Sequence, residues 1–140
     1  MVQVLRLEPT QEAGIMCLAN CNSVVQQAPS FAQKAYKSFD AFKRSVGAAD
    51  PTGQNLRQWH HIVEQTNKNK EQLGQFMIQN GKNIVNIPTE IHRQVSGYYS
   101  SIQPFTNGVT VRTWLSSQSF KEQAEFDQKI LDKAINNLLK

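Results

Sequence analysis

Hydrophobic and polar positions change rhythm several times along the chain. Residues 10–27, TQEAGIMCLANCNSVVQQ, carry apolar groups at the spacing of a moderately amphipathic helix that Thr10 can cap. The stretch APS at 28–30 interrupts it. The next segment, SFAQKAYKSFDAFKRSVG, has a cleaner period. Phe31, Ala35, Phe39, Phe42 and Val46 form one stripe, and Ser30 and Gly47 make a suitable cap and stop, so a helix is predicted across it. The stripe reads as the packing face of that helix.

Past the loop AADPTGQN (48–55) the period shortens. RQWHHIVEQ has a β-prone centre. The polar run NKNKEQLGQFMIQNGKN has a helical patch around Leu73 to Ile78 and a turn at Asn80-Gly81. NIVNIP (83–88) is a second β-prone run that ends at a proline. TEIHRQVSGYYSS then starts as a helix, with Thr89 as its cap and Ile91, Val95 and Tyr98 on one face. VTVRTWLSS (109–117) fits a strand or a helix equally. The final segment opens with the capping box Ser119-x-x-Glu122 and sets Phe120, Ala124, Ile130, Leu131, Ala134 and Leu138 on one face, which predicts a long helix.

The expected fold class is therefore α+β, mainly helical: strand, irregular loop, strand and helix in the middle, flanked by further helices. The 48–55 loop suggests a division into a helical N-terminal extension (1–50), packed on or leading into the core, and a main unit (51–140) with the C-terminal helix.

Composition narrows this picture modestly. A chain of 140 residues with 39% hydrophobic residues can bury one core and is not of a disordered class. Neither a charged-then-apolar leader nor an apolar run of membrane-spanning length is present. The expectation is a protein with no membrane role, acting where it is made or carried as a fragment of a larger exported chain. Cys17 and Cys21, the two cysteines, share a helical face but are poorly spaced for a disulfide or a zinc site, and read as small buried hydrophobes in a reducing compartment. The net charge of +4 permits nucleic-acid binding, but no Lys/Arg-rich run demands it.

The histidines say more. All three, His60, His61 and His92, fall on the strand–loop–strand–helix segment. Adjacent residues on a strand point to opposite faces, so His60 and His61 can serve different purposes. Asn83 opens the second β-prone run nine residues before His92. A packing role for the pair is the plain alternative.

The order His-His, Asn, then His in the run N-I-V-x-[LI]-P-x-x-I-H resembles an HNH-type (ββα-metal) nuclease. With Trp59 in front of the pair, it is most similar to the WHH-type branch of the HNH/endonuclease VII superfamily. Such domains often form the C-terminal toxin of bacterial polymorphic toxin systems. The resemblance covers roughly residues 54–120; residues 1–50 match nothing in it.

What the resemblance implies is a small ββα-metal core and a metal-dependent endonuclease that hydrolyses phosphodiester bonds with little sequence specificity. Its pattern makes His60 and His92 metal ligands and His61 the general base. Asn83 would orient the His61 imidazole through its side-chain carbonyl or, as in some branches, ligate the metal. The chemistry suits these residue types: a neutral imidazole is a good base near pH 7, and a divalent ion is a Lewis acid. Many relatives carry a further histidine one turn beyond the His92 position, where this chain has Ser96. Few protein ligands favour one Mg²⁺ or Mn²⁺ ion, with Zn²⁺ or Ni²⁺ as substitutes. Glu64, four residues past His60, reads as a solvent-facing carboxylate, with a place near the metal as the alternative.

Arg57, Lys82 and Arg93 are candidates for phosphate contacts, each also readable as a plain surface charge. Trp59 either packs under the strand or stacks on a base, and packing is preferred. The implied setting is a bacterial DNase toxin acting in the cytoplasm, on DNA ahead of RNA, with an acidic immunity protein as partner. The competing readings are a helical interaction module or inactive nuclease-like scaffold that works through residues 1–50, and an RNase using the same site.

Overall fold

The centre of the fold is an antiparallel hairpin whose first strand carries both adjacent histidines. The computed structural model describes residues 24–27 and 34–139. Three strands, β1 (Gln26–Gln27), β2 (Arg57–His61) and β3 (Ile84–Pro88), form one antiparallel sheet in the order β1-β3-β2. His60 lies opposite Val85 and His61 opposite Ile84. The two predicted strands thus pair with each other, and β1 adds a third. Gln26 and Gln27 belong to this strand rather than to the predicted helix, because the backbone of β3 offers them ladder partners at Asn86 and Val85. The rest of the predicted first helix, with Cys17 and Cys21, lies outside the described residues.

Helix α1 (Phe39–Val46) is shorter than its sequence pattern. Ser38 caps it by accepting from the Ala41 N–H, while the proposed cap Ser30 and the stripe residue Phe31 lie outside the described residues. Upstream, the chain pairs instead of coiling. Ala35 bridges Asn80, Tyr36 N donates to Gln79 O, and Gly81 N donates to Lys34 O. Long-range backbone pairing there overrides the apolar period. Gly47 ends α1 at φ 102°, a left-handed value that favours glycine, and its N–H closes on Lys43 O.

Between the strands, α2 (Asn67–Leu73) and α3 (Gln75–Ile78) are split by Gly74. A 3₁₀ turn, Gly81–Asn83, leads into β3, with Asn80 accepting from Lys82 N. Helix α4 (Thr89–Ser100) follows β3 without a loop. Its cap is Pro88, not Thr89; the Thr89 hydroxyl donates to Asn55 O and fastens the 48–55 loop. The ambiguous 109–117 segment holds a helix, α5 (Val111–Leu115), capped by Thr110. Helix α6 (Phe120–Ile135) starts at the expected Ser119/Glu122 box, with both of its reciprocal hydrogen bonds made. The architecture is α+β and mainly helical.

Strand alternation divides the interior in two. Val85 and Ile87 face one core with Val95 and Tyr99 of α4 and Ile130, Leu131 and Ala134 of α6. Ile84 faces a smaller core with Tyr36 and Phe42, against which Phe39 and Trp59 pack. Among the described residues β2 pairs on one side only and is an edge strand. None of the described helices is long and apolar enough to cross a membrane.

Candidate functional site

His60 and His61 leave β2 on opposite faces, as their positions require. His60 shares its face with Val85 and the α4–α6 core, whereas His61 shares its face with Ile84 and the α1 core. Both rings are buried. Side chains of both faces of β2, which pairs on one side only among the described residues, reach one cavity. That cavity, of about 180 Å³, is lined by Phe39, Trp59, His60, His61, Glu64, Gln65 and His92. The three histidines of the chain thus converge on one small space.

Each ring is held differently. The His60 Nε2–H donates to the carboxylate of Asp127, 3.1 and 3.0 Å from its two oxygens. Asp127 lies on α6, is 0% exposed, and also accepts from the Tyr99 hydroxyl at 2.8 Å. Burial, with the adjacent Asp127 charge as a smaller cause, pushes the Tyr99 phenol well above its ordinary range, so it stays a donor. His60 Nδ1 makes no hydrogen bond among the described residues. His92, one turn into α4, stands edge-on to His60 with ring centroids 5.6 Å apart. Its pKa is lowered, first by burial and then by His60, which favours a neutral ring with a free lone pair.

On the other face, His61 Nε2 lies 2.9 Å from Gln79 Oε1, and Gln79 Nε2 donates to Gln65 Oε1 at 3.0 Å. Phe39 packs edge-on against the ring at 4.8 Å. Burial drives the His61 pKa down to about 4, against a partial counter-effect from the Gln79 hydrogen bond. His61 is therefore neutral at pH 7, the form a general base needs.

Asn83 does not take the part expected of it. Its side-chain oxygen accepts from Val63 N at 2.8 Å, and its amide donates to Val63 O and Ile78 O, each at 2.9 Å. All of its capacity goes into clamping the chain after β2 onto the end of α3. The residue hydrogen-bonded to His61 is Gln79. Asn83 also lies outside the cavity lining, so neither the orienting role nor the ligand role is present in this geometry.

The three candidate phosphate contacts also separate. Arg57 is tied to the sheet, donating to Asn86 Oδ1, Asn86 O and Val24 O. Lys82 is exposed on the 3₁₀ turn. Arg93 is exposed and lies 3.7 Å from Glu90 on the same helix. Glu64 is neither fully solvent-facing nor free: it lines the cavity while Arg112 grips its carboxylate with three contacts of 2.8–3.0 Å. Trp59 packs, with its indole N–H donating to Gly47 O and its ring edge-on to Phe42 at 5.0 Å. Beside it lies a larger open groove of about 430 Å³ lined by Phe39, Lys43, Asn55, Arg57 and Trp59 among others.

Sequence reasoning missed Asp127, Tyr99 and Gln79. One signal was readable: Asp127 stands on the apolar face of α6, near Ile130, Leu131 and Ala134, where a charge needs a partner.

The donor chemistry can be tested against a metal ion. A buried carboxylate holding one nitrogen of His60 is the partner arrangement common behind metal-bound histidine. Metal–imidazole bonds of about 2.1 Å would set two ligand rings roughly 4.5–5.5 Å apart between centroids, close to the His60–His92 spacing. Two imidazoles fit as a partial set. Among the described residues no group of three or more His, Cys, Asp or Glu side chains is arranged to hold an ion. Such a site would complete its shell with water or substrate oxygen. No family model, curated protein or solved structure matches this chain.

Proposed function

We propose that this chain is a metal-dependent endonuclease that hydrolyses phosphodiester bonds, with His61 as general base and His60 and His92 as ligands of one divalent ion. One observation carries the reading: adjacent histidines on an edge strand take opposite faces yet open onto one cavity, one backed by a buried carboxylate, the other neutral. That is the division of labour that hydrolysis of a phosphodiester calls for. His61 accepts the proton of the attacking water, and burial keeps its ring in the unprotonated form at neutral pH. Asp127 and Tyr99 hold His60 in place, so its second nitrogen stays available. The ion would supply Lewis-acid stabilisation of charge on the phosphate and the leaving oxygen. Two imidazole donors bind transition ions more strongly than Mg²⁺, so Mn²⁺ is the ion to try first.

Lys82, on the 3₁₀ turn that leads into β3, and Arg93, next to His92 on α4, are exposed cations that can add contacts to the phosphate backbone. Neither they nor the cavity lining form a base-reading array, which supports cleavage with little sequence preference. DNA is put ahead of RNA, and the toxin setting with an acidic neutralising partner follows from the resemblance of the HHN-H pattern.

The test is cleavage of plasmid DNA and of RNA by purified protein with Mn²⁺, Mg²⁺ or EDTA, beside His61→Ala. Metal-dependent cleavage by the parent and its loss in a folded His61→Ala protein are expected. Full activity in that variant would sink the base assignment, and cleavage that survives EDTA would sink the metal. An inert parent that takes up no divalent ion would favour the interaction-module reading.

A further inference from the structure

A neutral imidazole can act as a base only through the nitrogen that lacks the proton, so something must decide which nitrogen that is. For His61 the candidates are few. Asn83, the residue that the sequence pattern suggested, has its oxygen and its amide engaged by Val63 and Ile78. Gln79 remains. Its backbone is pinned on both sides: its N–H closes α3 on Gln75 O, and its carbonyl accepts from Tyr36 N. Its side chain is buried and presents Oε1 to His61 Nε2 at 2.9 Å and Nε2 to Gln65 Oε1 at 3.0 Å. A buried amide costs stability that an aliphatic side chain would not, unless its hydrogen bonds are made.

We infer that Gln79 is a positioning residue: its carbonyl oxygen takes the His61 Nε2–H, fixes that tautomer, and leaves the Nδ1 lone pair for the cavity. Gln65, which lines the same cavity, keeps the Gln79 amide from turning over by accepting from its nitrogen. The ring itself is braced by Phe39, so its orientation and its tautomer are set by separate contacts. The catalytic consequence rests on the reading of His61 as the base; the tautomer does not. A reversed chain, with Gln65 donating to Gln79 and Gln79 donating to His61, would put the proton on Nδ1 and disable the base.

Imidazole ¹⁵N NMR on the metal-free full chain at neutral pH reads this directly, with the His61 signals assigned by comparison with His61→Ala. The parent should show His61 protonated at Nε2 alone. Gln79→Leu should lose that preference. Gln79→Glu should restore it, because one carboxylate oxygen accepts from His61 and the other from a turned Gln65 amide. A proton on Nδ1 in the parent, or an unchanged tautomer in Gln79→Leu, overturns the proposal. If Gln79→Leu fails to fold, the parent and Gln79→Glu spectra still decide. In the cleavage assay Gln79→Leu should lower kcat by roughly 10²–10⁴-fold, the usual contribution of a positioned base, with KM little changed. An Nε2–H parent without nuclease activity would support the positioning role and count against the endonuclease reading alone.

Discussion

Asp127 Oδ2 lies 3.0 Å from His60 Nε2, across 67 residues of sequence, and both side chains are buried. The contact joins the middle of the C-terminal helix to the edge strand of the sheet. It also ties α6 to the candidate site through a charged residue on its apolar face.

Removing the charge there should weaken metal binding without unfolding the protein. Asp127→Asn keeps the size of the side chain and an acceptor for one neighbour. Mn²⁺ affinity is expected to fall about 10–100-fold, read by titration calorimetry or by EPR of free Mn²⁺. Asp127→Ala strands both Tyr99 Oη and His60 Nε2 and should also cost about 2–5 kcal/mol of stability. Unaltered Mn²⁺ affinity in a folded Asp127→Asn protein would remove Asp127 from the site.

Asn83→Ala is expected to act on stability rather than on chemistry. Three buried backbone groups lose their partner, Val63 N, Val63 O and Ile78 O. A loss of about 2–4 kcal/mol in urea unfolding follows. The His61 tautomer in the folded fraction should stay as in the parent, because the Gln79–His61 hydrogen bond does not use the Asn83 side chain and the Gln79 backbone is also held by Gln75 O and Tyr36 N. A changed tautomer with little loss of stability would restore an orienting role to Asn83.

Acid should destabilise the fold through His61 in a defined window. Its folded pKa is about 4, below the ordinary 6.5, because burial penalises the charged ring. The unfolded chain therefore takes up the proton first. The stability this ring contributes is fully present above about pH 6.5 and is lost as pH falls toward 4, by roughly 1.4 kcal/mol per unit and about 3 kcal/mol in all. His92 is shifted in the same direction. Urea unfolding of the parent and of His61→Ala across that range separates this from carboxylate titration: the variant should show the shallower slope. Equal slopes would mean that His61 is not held neutral by burial.

The Glu64–Arg112 pair ties the chain after β2 to α5, with Arg112 also reaching Ser100 Oγ at 3.1 Å. Its geometry is bidentate and partly buried, so Arg112→Met should cost about 1–2 kcal/mol. The double variant with Glu64→Gln should lose less than the sum of the two single losses. Thermal unfolding checks this, and strictly additive losses would show the pair to be uncoupled.

The two strands, the helix after Pro88 and the capped C-terminal helix were legible because local rules govern them. β-prone runs mark the strands, a proline closes the second of them, and Ser119 and Glu122 cap each other three residues apart. The helix predicted from Ser30 was overextended for an equally physical reason. Its apolar period continued through Ala35, but the backbone there found partners at Asn80 and Gln79 that no periodicity records.

The sequence by itself determined that three histidines would sit on a strand, a strand and a helix, and that the adjacent pair must point to opposite faces. Two-residue alternation allows nothing else on a regular strand. Only the tertiary structure decided what each ring would touch. Among the described residues β2 pairs on one side only, and both of its histidines line one cavity. Packing of α6 across the sheet put Asp127 behind His60, and the clamp made by Asn83 holds the end of α3, where Gln79 meets His61. Such partners are chosen by burial, because a polar group taken out of water must bond to whatever the packing brings beside it.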